Sequence, residues 1–562
     1  MYREDPPPLS PLPPPDHARL DNIAVELVRN SFSGICDEMA ESLVRSSHSP
    51  NIKERRDCSC CLYTARGEIV VQAEHIPVHL GVMATALPHV LLDFPPEEMA
   101  PGDVFIVNDP YHGANHLPDF IVAGPLFAEG RLIGFAASMA HHTDVGGMAP
   151  RSMPAGATEI FHEGLRLPPV RLASAGRVDP GLRRVIAANS RLPEERLADL
   201  DAQIATIEVA QRRIDELTQR YSADDLLAAA ARILDMAEAA TRRVVAGLPR
   251  GTLRGQALAD YGPTTIPIRV ALTPREDVLE VDFSGTGDQV VGPFNSCLSA
   301  TLACVFMAVR ITLGEGIPAN AGMYRALHIT APDGSILNPR YPTAISAAAQ
   351  VSYHTFEALL DALAPLYPER VLAGSGGGGV FSLGGTDPRT GRLFAYGEAL
   401  GGGSGASCVA DGESGMIPPI ANLHDTPVEL LEMSLPMRIE RYEIVEDSGG
   451  AGRFRGGFGL RRAFRLLTSA RCSFQVSMPT RGPAGLDGGE PGAPTRIRIV
   501  GPDGTTRRVD RFMDLFAPEG SLIEIETAGG GGYGRPEERD PEALASDLRA
   551  GYGRRRVEGE AA

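Results

Sequence analysis

The sequence predicts a mixed α/β (α+β) chain of several domains, with a helical hairpin and a β-rich C-terminal part. Three observations predict it. Apolar residues recur at helical spacing over 20–43 and again over 195–248. Short apolar runs punctuated by Gly and Pro lie between these stretches and dominate from Met437 onward. A length of 562 residues also exceeds what one ordinary core encloses. The expected divisions are a disordered Pro-rich tail at 1–16, an α/β domain with a helical hairpin at 17–248, a mixed domain with Gly-rich loops at 249–435, a β-rich domain at 436–535 and a tail at 536–562.

In chain order, Leu20, Ile23, Leu27, Phe32, Ile35, Met39 and Leu43 make one helical stripe, ending near Ser46–Pro50. Cys58 to Val71 reads as strand with a turn at Gly67. Val104–Val107, Phe120–Ala123 and Leu132–Ser138 read as further strands, the last two joined by the Glu129-Gly130 turn. Leu197, Leu200, Ile204, Ile207, Ile214 and Leu217 form a second stripe, and Leu226 to Val245 a third. Ser222 is placed to cap the latter, which predicts an αα-hairpin. Strands return at 252–261, 266–273 and 278–283, and a helix at 353–363. The glycine runs at 374–379 and 401–405 lack the strand–loop–helix setting of a dinucleotide fingerprint and read as tight loops. Strands follow at 439–445, 460–466, 472–478, 497–500 and 522–525.

Composition excludes several functions. The net charge of −18 and the absence of a basic stripe argue against nucleic acid. No apolar run is long enough to span a bilayer, so no membrane partner is expected. The start carries no apolar signal core, and a cytoplasmic protein is expected. Eight cysteines in so long a chain do not form a disulfide framework; Cys58 and Cys61 have C-x-x-C spacing without a second pair, and buried free thiols are expected. Lys53 is the single lysine and follows Ile52, outside any Gly-rich loop. A Walker-type phosphate loop, which needs a Gly-Lys pair, is therefore absent. If ATP is used, a partner chain binds it.

Ten of the 13 histidines precede residue 163, and eight of those lie between His75 and His162. This window holds Asn108-Asp-Pro-Tyr-His-Gly-Ala-Asn-His-Leu-Pro-Asp119 and Ala140-His-His-Thr-Asp-Val-Gly-Gly147. Pro118 keeps His116 and Asp119 out of a helix interior, so the pair is placed on a loop between two strands. His141 directly follows an apolar strand. Two imidazoles and a carboxylate leave positions free on a cation, as in open catalytic metal sites. His142, Asp144, Asp109 and His112 are the candidates for acid–base or orienting roles. By spacing alone, these residues could equally be turn formers beside Pro and Gly. The Asn51–Asp57 charge run is a solvated face or, through Lys53, Arg55 or Arg56, a clamp on substrate or phosphate. Glu159 and Glu163, flanking His162, are further carboxylates that could join the site.

Several of these blocks together resemble the hydantoinase B/oxoprolinase family. They are Asn51–Asp57, Gln72–Gly81, Asn108–Asp119, Ala140–Gly147, Ser152–Glu159, Ile160–Pro169, Val281–Thr286 and Gly529–Gly534, in order along nearly the whole chain. The resemblance implies the catalytic subunit of an ATP-dependent cyclic-amide hydrolase that opens a hydantoin, 5-oxoproline or lactam ring. It implies a hydantoinase A type partner of actin-like fold that carries ATP-Mg, in a heterotetramer. It also implies a divalent metal ion (Zn, Mn or Fe) on His116, Asp119 and His141. In the implied reaction the partner phosphorylates the amide oxygen, and water, assisted by His142 or Asp144, then opens the ring. The rival readings are an ATP-dependent ketone carboxylase subunit and a non-catalytic scaffold of the ATPase. Gly113-Ala-Asn-His116 stands where relatives more often carry Gly-Gly-Thr-His.

Overall fold

The structure, a computed structural model, describes residues 20–552 apart from 74–75, 263, 315, 377–378 and 418–419. The Pro-rich tail at 1–16 and the end of the C-terminal tail, from 553, lie outside the described residues. Two compact units divide the chain. The first comprises the described residues up to Arg254 together with Arg269–Phe356; the second comprises Gly255–Ile268 and the chain from Glu357.

The first unit is built on a seven-stranded sheet. Its strands are β1 (Cys58–Thr64), β2 (Ile69–Ala73), β3 (Val104–Val107), β4 (Asp119–Ala128), β5 (Arg131–His141), β6 (Val170–Ser174) and β7 (Arg177–Val178). Their spatial order is β2-β1-β5-β4-β3-β6-β7, with antiparallel neighbours throughout. Its helices include α1 (Asn22–Ser46), α2 (Pro50–Lys53), α3 (His79–Asp93), α4 (Pro180–Ala188), α5 (Pro193–Leu217), α6 (Ala223–Ala246) and α7 (Leu298–Thr312). Helix α1 starts where Asp21 caps it by accepting from the Ala24 N–H at 2.7 Å. The hairpin α5–α6 also forms, and Ser222 with Asp225 makes a reciprocal capping box.

Side-chain alternation decides which helices cover which face. Cys60, Leu62, Phe120, Val122, Ala136 and Ala140 meet the apolar sides of α1, α5 and α6. Cys61, Tyr63, Phe105, Ile121, Ala137 and Met139 meet Val82, Met83, Ala86, Leu87 and Val90 of α3. Each fully buried large side chain of this kind contributes roughly 1.5–3 kcal/mol. Helix α3 in turn packs on α7, and Gly81 permits it: a Cβ there would overlap the Ala303 backbone. Helices α3, α4 and α7 have no clear sign in the sequence pattern.

The second unit holds two sheets. One orders Leu393–Ala399, Val380–Thr386, Ala470–Gln475 and Met513–Ala517 side by side; the other orders Met437–Ile444, Leu460–Leu466, Leu522–Glu526, Arg496–Val500 and Thr506–Val509. Phe381, Phe394, Phe464, Phe474, Ile497 and Ile523 are among the residues of their shared core. The β-rich character expected from Met437 onward is thus present, and it begins earlier, at Val380.

The division differs from the expected one at 249–435. Residues 269–356 belong to the first unit, because α7 packs on α3 and the short helix Ala321–Tyr324 packs on α6. The remainder of that stretch, past the few residues before Gly255, joins 436–535 and the tail in the second unit. A contact between helices is not encoded in the local periodicity from which domain limits were read.

Candidate metal centre

The β4–β5 pairing sets Asp119, the first residue of β4, opposite His141, the last residue of β5. Period-two alternation then sends both side chains to the α3 face, with Ile121 and Met139. His116 reaches the same place from the preceding turn, where the Asp119 N–H donates to the His116 carbonyl at 3.0 Å. Asn108 holds this loop: its amide donates to the Leu117 and Leu165 carbonyls at 2.6 and 2.9 Å, and its oxygen accepts from the Leu167 N–H at 2.6 Å.

One ligand atom from each of His116, Asp119 and His141 lies within 4.8 Å of the others, and this is the only such metal-type cluster among the described residues. Asp119 spans the two rings, with His116 Nδ1 2.7 Å from Oδ2 and His141 Nδ1 3.0 Å from Oδ1. Asn115 donates to Asp119 Oδ2 at 2.9 Å. Burial works against charge on all three groups. For Asp119 the two imidazoles overcome it and hold the carboxyl well below the usual range. For His116 burial is outweighed by Asp119, and its pKa is raised. For His141 burial prevails and the pKa falls to about 4, which keeps that ring neutral and able to donate a lone pair.

The residues fit a divalent cation. The donor set is two imidazoles and a carboxylate, fixed at strand ends. His141 Nε2 is buried without a hydrogen-bond partner, an arrangement that is costly unless something arrives to use it. The Asn115 bond to Asp119 orients the carboxylate in the manner of a metal site's supporting shell.

The four acid–base candidates fall elsewhere. His142 is one residue past His141 and points to the opposite face, where its Nε2 lies 2.7 Å from Gln203 Oε1 on α5 and its ring packs on Phe120, centroids 4.4 Å apart. Asp144 is buried and occupied: it accepts from the Gly146, Arg151 and Arg191 N–H groups and from Arg191 Nη1, at 2.8–3.1 Å. It holds the loop after β5. Asp109 begins the short turn Pro110–His112, accepts from the Tyr111 N–H at 3.0 Å and lies 2.8 Å from His112 Nδ1. These two pair with one another rather than with the triad. In the Asn51–Asp57 run, Lys53 is exposed, Arg56 pairs with Glu41 at 2.9 Å, and Arg55 is fully buried. Glu159 is exposed, whereas Glu163 is fully buried.

Residues that the sequence did not single out complete the surroundings. Asp57 and Arg151 both act electrostatically on His116 and His141. The Asp57 carbonyl also accepts from the His141 N–H at 3.0 Å. His79 lies 3.1 Å from Ser59 Oγ and 3.8 Å from Asp57. Arg151 and Ser152 have consecutive positive φ values of 64° and 57°, a strained backbone of the kind that gathers at functional sites. For Asp57 and His79 the signal was membership of the Asn51–Asp57 and Gln72–Gly81 blocks; for Arg151 there was none.

The fold is a mixed α/β architecture that carries a candidate metal triad. Residues 21–536 match the family model described as Hydantoinase B/oxoprolinase, and the chain belongs to that family. An uncharacterized protein of Methanocaldococcus jannaschii is 34% identical over 94% of this chain and 93% of its own length. A Pseudomonas protein designated as the B-type component of a D-/L-hydantoinase is 29% identical over 96% of this chain and 94% of its own. A 5-oxoprolinase of Pestalotiopsis fici is 30% identical over 95% of this chain, which spans only 43% of that longer protein. The crystal structure of the ATP-dependent caprolactamase from Pseudomonas jessenii superposes with a TM-score of 0.88 at 29% identity, covering 95% of each chain. Acetone carboxylase shares the fold, with a TM-score of 0.88 at 20% identity.

Proposed function

We propose that this chain is the catalytic subunit of an ATP-dependent cyclic-amide hydrolase, which opens a hydantoin, 5-oxoproline or lactam ring together with an ATP-binding partner of the hydantoinase A type. The observation that carries the reading is the convergence of His116, Asp119 and His141 within 4.8 Å at the ends of β4 and β5. Membership of the hydantoinase B/oxoprolinase family and the likeness to a caprolactamase support the substrate class.

The need for ATP follows from the substrate. An unstrained cyclic amide resists hydrolysis, and phosphorylation of its oxygen makes the carbon a better electrophile. This chain has one lysine, on α2 and exposed, and no Gly-Lys phosphate loop, so phosphorylation is assigned to the partner. When bound at the triad, a zinc, manganese or iron ion would act as a Lewis acid and lower the pKa of water. The chain's own residues do the positioning. Asn115 orients Asp119, and the Asn108 bonds fix the loop that carries His116.

The test is purification of the chain with its ATP-binding partner, elemental analysis, and a substrate panel. The expected result is stoichiometric metal and ATP-dependent opening of one class of cyclic amide. ATP consumption with ketone plus bicarbonate, and none with any cyclic amide, would favour the carboxylase reading and refute this one.

A further inference from the structure

Glu163 follows the short turn Ile160–His162 and is fully buried. Its Oε1 accepts from the Ile345 and Ser346 N–H groups at 2.7 and 2.6 Å. Its Oε2 is buried and has no hydrogen-bond partner. Capping two backbone donors requires one oxygen only; a glutamine would do it as well. Leaving the second oxygen unsatisfied costs roughly 1–3 kcal/mol, and a group of that kind calls for an explanation.

Its place in the fold supplies one. The chain on either side of Glu163 is tied to the loop that follows β5. The Met148 N–H donates to the His162 carbonyl and the Leu165 N–H to the Val145 carbonyl, both at 2.8 Å. Gly147 lies so close that a Cβ would come within 2.5 Å of the Glu163 carbonyl oxygen. That loop begins at His141, and His116 is near enough to act electrostatically on the Glu163 carboxyl. Burial, opposed by the Ser346 and Ile345 bonds and by His116, pushes the carboxyl up to about 8. At neutral pH it therefore carries a proton, a known way for a buried carboxylic acid to serve as a donor.

We infer that Glu163 is a catalytic residue of this site, the proton donor to the ring nitrogen as the cyclic amide opens. The inference rests on the cyclic-amide reading above. Water adds across the C=N bond of the O-phosphorylated amide, its hydroxyl going to carbon and its other hydrogen to nitrogen, to give a tetrahedral adduct that bears a hydroxyl and the phosphorylated oxygen. The C–N bond then breaks and its electron pair goes to nitrogen. Glu163 Oε2 gives its proton to that nitrogen, forming a new N–H bond. The hydroxyl becomes the carbonyl of an acyl phosphate and its proton returns to Glu163, so the step needs no outside acid; a second water then cleaves the acyl phosphate to the carboxylate and inorganic phosphate. An amine anion is too basic to leave unprotonated, and donation of this kind is worth about 10²–10⁴ in rate.

The experiment compares Glu163→Gln with wild type in the complex with the ATP-binding partner. Two substrates are used: the cyclic amide that the wild type opens, and the thiolactone of the same ring size, whose thiolate leaves without a proton. Metal content and melting temperature are measured alongside, since glutamine keeps the acceptor for Ile345 and Ser346. The expected result is a fall of kcat by about 10²–10⁴ on the amide and under about tenfold on the thiolactone. Metal content should not change. Equal losses on both substrates, or no loss on the amide, would overturn the inference and leave the cyclic-amide reading standing. If the wild type opens the thiolactone but no cyclic amide, the broader reading fails, and this one with it.

Discussion

In the first unit, side chains from α1, α3, α5 and α6 fill the two faces of the β1–β7 sheet. Much of the second unit is closed in another way. Segments around Gly374–Gly376, Gly401–Gly405, Gly449–Gly457, Gly482–Gly492 and Gly529–Gly532 lie directly against one another and exchange backbone hydrogen bonds. Gly376 donates to Gly403, Gly403 to Ala528, Gly531 to Gly374, Gly530 to Gly457 and Gly457 to Ser404, at 2.7–2.9 Å. A Cβ on Gly403, Gly456, Gly457, Gly529 or Gly530 would overlap a neighbouring carbonyl oxygen. None of these five has a positive φ, so their glycine requirement is space rather than left-handed backbone. The comparison teaches that a side-chain interior can absorb a change of volume, whereas backbone packed on backbone cannot admit even a methyl group.

The predictions probe that contrast. The largest effect is chemical and belongs to the first unit. His116→Ala should lose metal by elemental analysis, and turnover should fall about a thousandfold or more, which corresponds to the several kcal/mol a Lewis acid supplies. Because His116 sits in a loop rather than in the core, the melting profile should keep its shape. Next, Gly530→Ala should destabilise the second unit by about 4 kcal/mol or more, since the added methyl meets the Ser404 carbonyl. Limited proteolysis that cuts within 357–552 while sparing 20–254 would show this; unchanged resistance would break the contrast. Its counterpart, Leu200→Ala on α5, removes a fully buried side chain and should cost about 3 kcal/mol, with the fold retained by circular dichroism.

A pH effect comes next. The Glu163 carboxyl is raised to about 8 in the folded protein from an ordinary value of 4.5. The folded state thus keeps a proton that the unfolded chain gives up. Stability from this group is full below about pH 4.5 and is lost as pH rises to about 8. Glutamine does not titrate. The melting temperature of Glu163→Gln relative to wild type should therefore climb by a few degrees between about pH 5 and 8, then level off. A gap that stays constant across that range would contradict the burial argument. The smallest effect returns to glycine. Gly34 lies on the exposed side of α1 with nothing within 4 Å of an added Cβ. Gly34→Ala should stabilise the protein by up to about 1 kcal/mol in thermal melting, opposite in sign to Gly530→Ala.

Legibility followed the same division. The stripes of α1, α5 and α6 and the strands β1 to β5 were visible, because a face buried against a core repeats at 3.6 or 2 residues. Helix α7 was not: it is buried nearly all round, with Ala300, Ala303, Cys304, Val305, Phe306 and Val309 covered, and an all-apolar run has no period to read. Strands Val380–Thr386 and Leu393–Ala399 were hidden among the glycines. Glycine runs announce only that something comes close, not which segment does. At the site, the three candidate ligands could be named from residue type and spacing, but Glu163 drew little notice, since its meaning lies in Ile345 and Ser346, about 180 positions away.

By itself the sequence determined residue chemistry and local period: which stretches are helix or strand, that no Gly-Lys phosphate loop exists, and which His and Asp residues crowd one window. Tertiary structure decided orientation and neighbourhood. The β4–β5 register turned His141 toward Asp119 and His142 toward Gln203, although the two histidines are adjacent in the chain. It also spent Asp144 on a loop and left Glu163 with one unsatisfied oxygen. The physical reason is that hydrogen bonding and burial depend on distances between segments far apart in sequence, and those distances are fixed only when the sheet and its covering helices close.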